Sequence, residues 1–392
     1  MAISTCTNPR AAPTPAERIL VIRLGAVGDV VRTLPAAATL RAAYPRAHLA
    51  WLVEPASASV LEGQPWLDEV IVFPRGALAA ALRRGRLGAL AQEASGFLRR
   101  LRGGRFDLVL DFHAILKSGV LARLSGAKRR VSYARPFARE GAAFFASERA
   151  RLAPRLQSRF DRNDALVRYL GVTEPAPPHP LSVPELALAR AKDALGPGPA
   201  PVVIHPGTSD ATPYKRWTPV GYGAVARALA EEGVPCLVTS GPAASDREMA
   251  EAVLAAAAGS ARAAPPTPTL LDLAALFAHS RLYLGADSGP MHVAALVGTP
   301  VLQLLGPTDP VENAPYPGTA SRTLRVQIAC NPCKRGCAAA TCMRLHSAAD
   351  VLAAARELLA GGAGPSARSA LTSGLVDCAG PRPAAQGEER PA

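Results

Sequence analysis

Residues 18–35, RILVIRLGAVGDVVRTLP, decide how this chain folds. An apolar run ends in Gly25-Ala26-Val27-Gly28, and residues compatible with a helix follow. That order predicts a buried strand, a tight turn and a helix. Nucleotide-binding α/β domains open this way, but the spacing here is G-x-x-G-D, not G-x-G-x-x-G, so the dinucleotide fingerprint is absent. Asp29 stands where a bound phosphate would meet the helix N-terminus, and it would repel that anion. The segment leaves two readings of Asp29 open. It is a helix N-cap, or it is a carboxylate at the mouth of a cleft that takes a hydroxyl proton as general base.

The alternation of strand and helix continues outward from this unit. HLAWLVE, EVIVFP and DLVLDF predict further strands. A Pro-rich break, TEPAPPHPLSVP, covers 173–184. A second set follows, with strands at PVVIHPG, PCLVTSG, RLYLGAD and PVLQLLG. The expected class is α/β, with two Rossmann-like doubly wound domains facing each other across a cleft. The expected division is a first domain at 17–175, a linker at 176–199 and a second domain at 200–361. Tails at 1–16 and 362–392, rich in Pro, Ala and Gly, are expected to be disordered.

The chain has 392 residues, 49% of them hydrophobic, enough for two cores. No apolar run reaches the roughly 20 residues that span a bilayer. The N-terminus lacks the pattern of a secretory signal, so a cytoplasmic location is expected. The formal charge of +13 is concentrated. Residues 75–168 hold 21 Lys and Arg against 7 Asp and Glu. Such a segment suits an anionic partner: nucleic acid, an acidic membrane surface or an acidic glycolipid. An aromatic-interleaved basic platform of the RNA-binding kind is missing, which weighs against nucleic acid.

Four motifs carry chemistry. VVIHPGTSDATPYKRWTP offers Thr208, Ser209, Lys215 and Arg216, hydroxyls and cations that suit a diphosphate. LYLGADSGPMHVAALVGTP delivers Asp287 from a strand, turns through Ser288, Gly289 and Pro290, and starts a helix at Met291-His292. The free N–H groups of that helix make an anion site. G-x-S-x-G is absent, which argues against a serine hydrolase. DFHAILKSG places Asp111, His113, Lys117 and Ser118 after a strand, facing the cleft, with Lys128, Arg129 and Arg130 available to grip an anionic acceptor. Cys330, Cys333, Cys337 and Cys342 form a tight run that suits zinc, an iron–sulfur cluster or a reduced structural thiol group.

Taken in order, RLGAVGDVVRTLPA, DFHAILKSG, HPGTSDATPYKRW, GADSGPMHVAALVGTPVLQLLGPTDP and the late CNPCKRGC resemble glycosyltransferase family 9, the lipopolysaccharide core heptosyltransferases, and heptosyltransferase I most of all. The resemblance covers about residues 18–360. It implies a GT-B fold, with an acceptor-binding first domain and a donor-binding second domain. It implies inverting transfer of a heptose from ADP-heptose to an anionic Kdo–lipid A acceptor at the inner membrane's cytoplasmic face, with no metal or other cofactor in the chemistry. By the same resemblance Asp29 is the catalytic base, Lys215 serves the donor diphosphate, Asp287 the heptose hydroxyls, and the turn through His292 the phosphate; the glycine turn of Gly25 and Gly28, with the cation of Lys117, is expected to hold the acceptor. Relatives often hold the nucleoside with a Glu after a GGP-type turn. Here SGPAASDREM offers Asp246 or Glu248 instead.

Overall fold

The computed structural model describes residues 5–333 and 336–361. In the first half, β1 (Thr5–Cys6) is an arm, and β2 (Arg18–Ile22), α1 (Val27–Val31), α2 (Leu34–Ala43), β3 (His48–Val53) and β4 (Glu69–Val72) follow. Next come α3 (Arg75–Arg83), α4 (Leu87–Gly103), β5 (Leu108–Asp111), α5 (Leu116–Leu124), β6 (Arg129–Tyr133), β7 (Glu148–Ala150) and β8 (Leu152–Ala153). Six strands form a parallel sheet in the order β4-β3-β2-β5-β6-β7. Ile19, Leu20, Val21 and Ile22 of β2 are fully buried. A central parallel strand is covered on both faces, which is why it reads as a continuous apolar run. Each such side chain stabilises the fold by roughly 1.5–3 kcal/mol.

Helices α6 (Arg159–Arg168) and α7 (Glu185–Leu195) lead to the second half. It contains β9 (Val202–His205), α8 (Pro219–Glu231), β10 (Cys236–Val238), α9 (Ala244–Ala257), β11 (Arg262–Ala263) and α10 (Leu270–Ala278). It continues with β12 (Leu282–Ala286), α11 (Gly289–Leu296), β13 (Val301–Leu305), β14 (Ser321–Arg325), α12 (Thr341–Arg344) and α13 (Ala348–Ala360). Its sheet, also parallel, runs β11-β10-β9-β12-β13-β14. Both sheets thus reverse strand order at one point, between β2 and β5 and between β9 and β12. In doubly wound sheets the carboxyl ends at that point hold the ligand. The turn before Asp29 follows β2, and Asp287 follows β12. No helix among the described residues is long and apolar enough to cross a membrane.

Residues 5–16 differ from the disordered tail expected there. β1 pairs antiparallel with β8, and Thr7 N donates to Arg151 O at 2.8 Å. The Asn8 side chain accepts from Arg151 N at 2.8 Å and donates to Arg149 O at 3.1 Å. Composition missed this because the partners are backbone groups of residues 149–153, invisible in the arm's own sequence. The expected tail at 362–392 lies outside the described residues.

Candidate active site

Helix α1 begins one residue after the Gly25–Ala26 peptide, with Ala26 at its N-cap position and no side-chain cap. Asp29 lies in the first turn, and its carboxylate caps nothing, which corrects the cap reading. Instead it takes three guanidiniums. Arg32 Nη2 donates to Oδ1 at 2.7 Å and Arg159 Nη1 donates to the same oxygen at 2.8 Å, while Arg23 pairs with Oδ2. Burial alone would push this carboxyl up. The charges of Arg23, Arg32 and Arg159 outweigh it and hold Asp29 far below the usual carboxylate range. Arg32 also reaches the other half, where Nη1 donates to Asn313 Oδ1 at 3.3 Å.

The second half meets this group directly. A β-carbon on Gly28 would stand 3.3 Å from the Gly289 α-carbon and 4.0 Å from the His292 ring. The two glycine turns therefore touch backbone to backbone, a contact that glycine permits. Gly25 is open, with Ser57 Oγ 3.9 Å from its would-be β-carbon. Asp287, at the end of β12, is buried and accepts from Lys215 Nζ at 2.7 Å and Thr308 Oγ1 at 3.0 Å. Burial raises its carboxyl; Lys215, His292 and Arg32 overcome that and lower it. Ser288, Gly289 and Pro290 make the start of α11, with Ser288 at the N-cap. Met291 and His292 on its first turn are buried. Burial, with Arg32 nearby, pushes the His292 imidazole well below its ordinary range. Its ring packs edge-on against Phe160 of α6 at 5.7 Å.

The loop after β9 is built around Arg216. Its guanidinium donates to Thr208 O at 2.7 Å, to Ser245 Oγ at 2.9 Å and to Asp246 Oδ1 at 3.3 Å. Thr208 is buried and Ser209 exposed. Asp246 packs against the glycines that end both neighbouring strands. A β-carbon on Gly207 would lie 2.6 Å from its carboxylate, and one on Gly241 closer still. Glu248 is exposed on α9.

Several expected groups sit elsewhere. Asp111 and Ser118 do not face the cleft: both are buried. The Asp111 carboxylate takes His113 N and Ala114 N at 3.0 Å and Ser118 Oγ at 2.9 Å, closing the turn after β5. Burial pushes Asp111 up to about 6. His113 is lowered to about 4 by burial and accepts from Leu24 N at 3.4 Å. Lys117 pairs with Glu54, a residue the sequence did not single out, and its ammonium lies 4.7 Å from the centre of the Phe73 ring. Arg129 and Arg130 begin β6, at the end of the sheet opposite Asp29. Arg129 pairs with Glu148 at 2.9 Å and Arg130 donates to Phe145 O at 2.8 Å, so neither is free for an acceptor. Lys128 beside them is exposed. Other charges of the basic segment remain on the surface. Arg135, Arg149 and Arg151, with Asn8 and Phe144, line a cavity of roughly 680 Å³ beside β7.

The four late cysteines lie near one another, with Cys333, Cys330 and Cys337 close enough to Cys342 to add to the effect of burial on its thiol. Cys330 and Cys337 are exposed and Cys333 is half-buried. Cys342 is buried in the second half's core, where burial raises its thiol. Among the described residues no three or more His, Cys, Asp or Glu gather to hold a metal ion.

Arg23, Arg32, Arg159 and Thr308 complete the site, and the sequence reading missed all four. Arg32 was within reach, since i and i+3 share a helix face. Arg159, 130 residues from its partner, left no local signal.

Known proteins resemble this chain in sequence and fold. Lipopolysaccharide heptosyltransferase 1 of Pseudomonas aeruginosa is 31% identical over 327 residues, 82% of this chain and 87% of that one. The crystal structure of a family 9 glycosyltransferase from Veillonella parvula superposes with a TM-score of 0.72 at 23% identity, covering 90% of this chain and all of that one. Heptosyltransferase WaaC of E. coli, solved with ADP-2-deoxy-2-fluoro heptose, gives 0.64 at 23% identity, covering 79% and 93%. These structures establish the two facing Rossmann-like domains as a GT-B fold. Residues 95–344 match the family described as glycosyltransferase family 9 (heptosyltransferase). With the relative above covering most of both chains, the protein belongs to glycosyltransferase family 9.

Proposed function

We propose that this enzyme transfers a heptose, with inversion, from ADP-heptose to the Kdo–lipid A inner core, and that Asp29 is the general base. One observation carries the reading. Asp29 from the first half and the Lys215–Asp287–His292 group from the second meet across the Gly28–Gly289 contact. A base for an acceptor hydroxyl and a cradle for a nucleotide sugar therefore share one cleft. The guanidiniums of Arg23, Arg32, Arg159 and Arg162 and the Lys215 ammonium outnumber the carboxylates of Asp29, Asp287 and, beside Arg23, Asp111. A polyanionic donor and an acidic acceptor would balance that excess.

In this account the donor diphosphate takes Lys215 and the N–H groups opening α11, with Thr208 and Ser209 beside it. Asp287 then turns to the heptose hydroxyls. Of the two candidate acids for the ribose, buried Asp246 is favoured over exposed Glu248, because it sits at the carboxyl ends of β9 and β10. As the acceptor oxygen bonds to the anomeric carbon, the bond to the diphosphate breaks and ADP leaves with the electron pair. The acceptor proton passes to Asp29. Positive charge from Lys215 and α11 stabilises departing ADP, so a divalent cation is not required. Gly25 and Gly28 leave room for the acceptor, and Lys117 with Glu54 stands on the same side. Work at the cytoplasmic face of the inner membrane is part of the proposal, since the acceptor is a lipid.

The test is direct. Purified protein is incubated with ADP-heptose and Kdo2–lipid A, with and without EDTA. The expected product is heavier by one heptose, in equal yield in both. No product with this acceptor, but product with an already heptosylated core, would move the enzyme to a later heptose. Loss of turnover in EDTA would overturn the metal-free account.

A further inference from the structure

We infer that Arg159 is a latch on the catalytic carboxylate. In the empty enzyme it occupies Asp29, and it passes to the carboxylate of a sugar-acid acceptor as that acceptor binds, freeing the oxygen that takes the proton. The inference rests on Asp29 being the base and the acceptor being a Kdo sugar, as proposed above.

A carboxylate offers about four lone-pair sites. Three of those on Asp29 are engaged by guanidiniums. Both sites on Oδ1 are taken, by Arg32 and Arg159, so a hydroxyl can donate to this oxygen as it is deprotonated only when one of the two gives way. The three arginines are not equivalent. The side chain of Arg23 is 8% exposed, and its Nη1 also donates to Phe112 O at 2.8 Å. Arg32 is equally buried, and it also donates to Gly28 O at 3.1 Å and to Asn313 Oδ1 at 3.3 Å. Both are fixed by bonds elsewhere. The Arg159 side chain is 30% exposed, and among the described residues it makes no hydrogen bond other than the one to Asp29. It stands at the first position of α6, beyond an N-cap at Ser158 whose hydroxyl accepts from Asp161 N. Its side chain can therefore swing while the helix stays in place.

The exchange keeps the guanidinium paired. Arg159 leaves one carboxylate for another, while the charge that the acceptor brings offsets part of the site's cationic excess. A neutral molecule offers no such compensation: water cannot draw a guanidinium off a charge-assisted pair. The latch therefore does two things. It selects acceptors that carry an anion next to the nucleophilic hydroxyl. It also keeps Asp29 from activating water against the donor, a step in which water's oxygen would bond to the anomeric carbon, ADP would leave and the proton would go to Asp29. Arg159 acts through Asp29 and is a positioning residue.

The experiment compares wild type, Arg159→Ala and Arg159→Lys, each as full chain. Two acceptors are used: Kdo–lipid A, and the same molecule with the Kdo carboxyl reduced to an alcohol. Arg159→Ala leaves Arg23 and Arg32 on Asp29, so no buried carboxylate is orphaned, and unchanged melting temperature and ADP affinity confirm the fold. For wild type, kcat/KM is expected to fall about 10- to 100-fold with the reduced acceptor, the size of one lost charged hydrogen bond. Arg159→Ala should lose a similar factor with the natural acceptor, no longer distinguish the two, and hydrolyse ADP-heptose several-fold faster with no acceptor present. Arg159→Lys should keep part of the discrimination. If Arg159→Ala discriminates as strongly as wild type, or hydrolyses the donor no faster, the latch is wrong. If wild type transfers heptose to neither acceptor, the proposed acceptor is wrong, and donor hydrolysis still decides whether Arg159 restrains Asp29.

Discussion

Asp29 shows how one residue can be half legible. The sequence flagged it because it sat where a phosphate-binding loop would not tolerate a carboxylate. What the sequence withheld is its setting, since two of its three partners come from outside its own helix. This setting alters the obvious substitution. Alanine would leave three guanidiniums facing a void, so Asp29→Asn, which keeps the shape, is the better variant. We expect it to lower transfer by about 100-fold or more while ADP affinity stays within about threefold. It should also cost stability, because a largely buried ion cluster loses its anion. Discounted for the 20% exposure of the Asp29 side chain, the cost is about 1–3 kcal/mol. The sign with pH follows from the lowered carboxyl. The stabilisation is fully present above the unfolded value near pH 4 and disappears as pH falls through the lower folded value. Thermal melts should therefore separate wild type and variant at pH 7 and bring them together in strong acid. Equal melting temperatures at pH 7 would mean the arginines do not depend on Asp29.

At the scale of elements, the strands with apolar runs were legible, the edge strand β4 among them, and β6, β7, β11 and β14 were not. β2, β3, β5, β9, β12 and β13 are buried along nearly their whole length and carry unbroken apolar runs. β6 starts with Arg129-Arg130, β7 is Glu-Arg-Ala, and β14 is Ser-Arg-Thr-Leu-Arg. Polar residues at strand starts and sheet edges hide the pattern, and the arginines of β6 were taken for a binding patch for that reason. Helix α6 is the element whose role only the assembled fold reveals. It follows the first sheet in sequence, yet Arg159 N bonds to Glu312 O at 3.3 Å, and Phe160 wedges edge-on between His292 and Tyr316, 5.7 and 5.2 Å away. Phe160 is 5% exposed. Phe160→Ala should destabilise the chain by about 3 kcal/mol, read as a lower urea midpoint. It should lower turnover as well, because the same turn carries Arg159. Phe160→Leu should recover most of both. Full activity in Phe160→Ala would show that α6 only packs and does not align the two halves.

For the whole molecule, the proposed lipid-borne acceptor has to be met at a surface, since no helix among the described residues is long and apolar enough to cross a membrane. The charge excess of residues 75–168 is partly consumed inside the fold: Arg129 with Glu148, Arg168 with Asp164, and Arg159 with Asp29. The connection between α3 and α4 is different. Leu82 and Leu87 are 64% and 71% exposed, and between them Arg83, Arg84 and Arg86 are exposed and form no ion pair among the described residues. Two large apolar side chains bracketing three free cations fit a leaflet of anionic lipid, where leucines enter the boundary and each arginine adds about 1 kcal/mol. Full-length protein should therefore co-sediment with vesicles containing phosphatidylglycerol and should be released as salt rises, because the cationic part is screened over about 10 Å at 0.1 M. Leu82→Glu with Leu87→Glu should weaken that binding about tenfold or more. Neither residue is among the partners of Asp29 or Lys215, so turnover on a detergent-dispersed acceptor should stay at the wild-type level, while turnover on acceptor embedded in vesicles drops with the binding. A double variant that binds vesicles as wild type does would send the search to the arginine-lined cavity beside β7, the other exposed cationic surface of the first half.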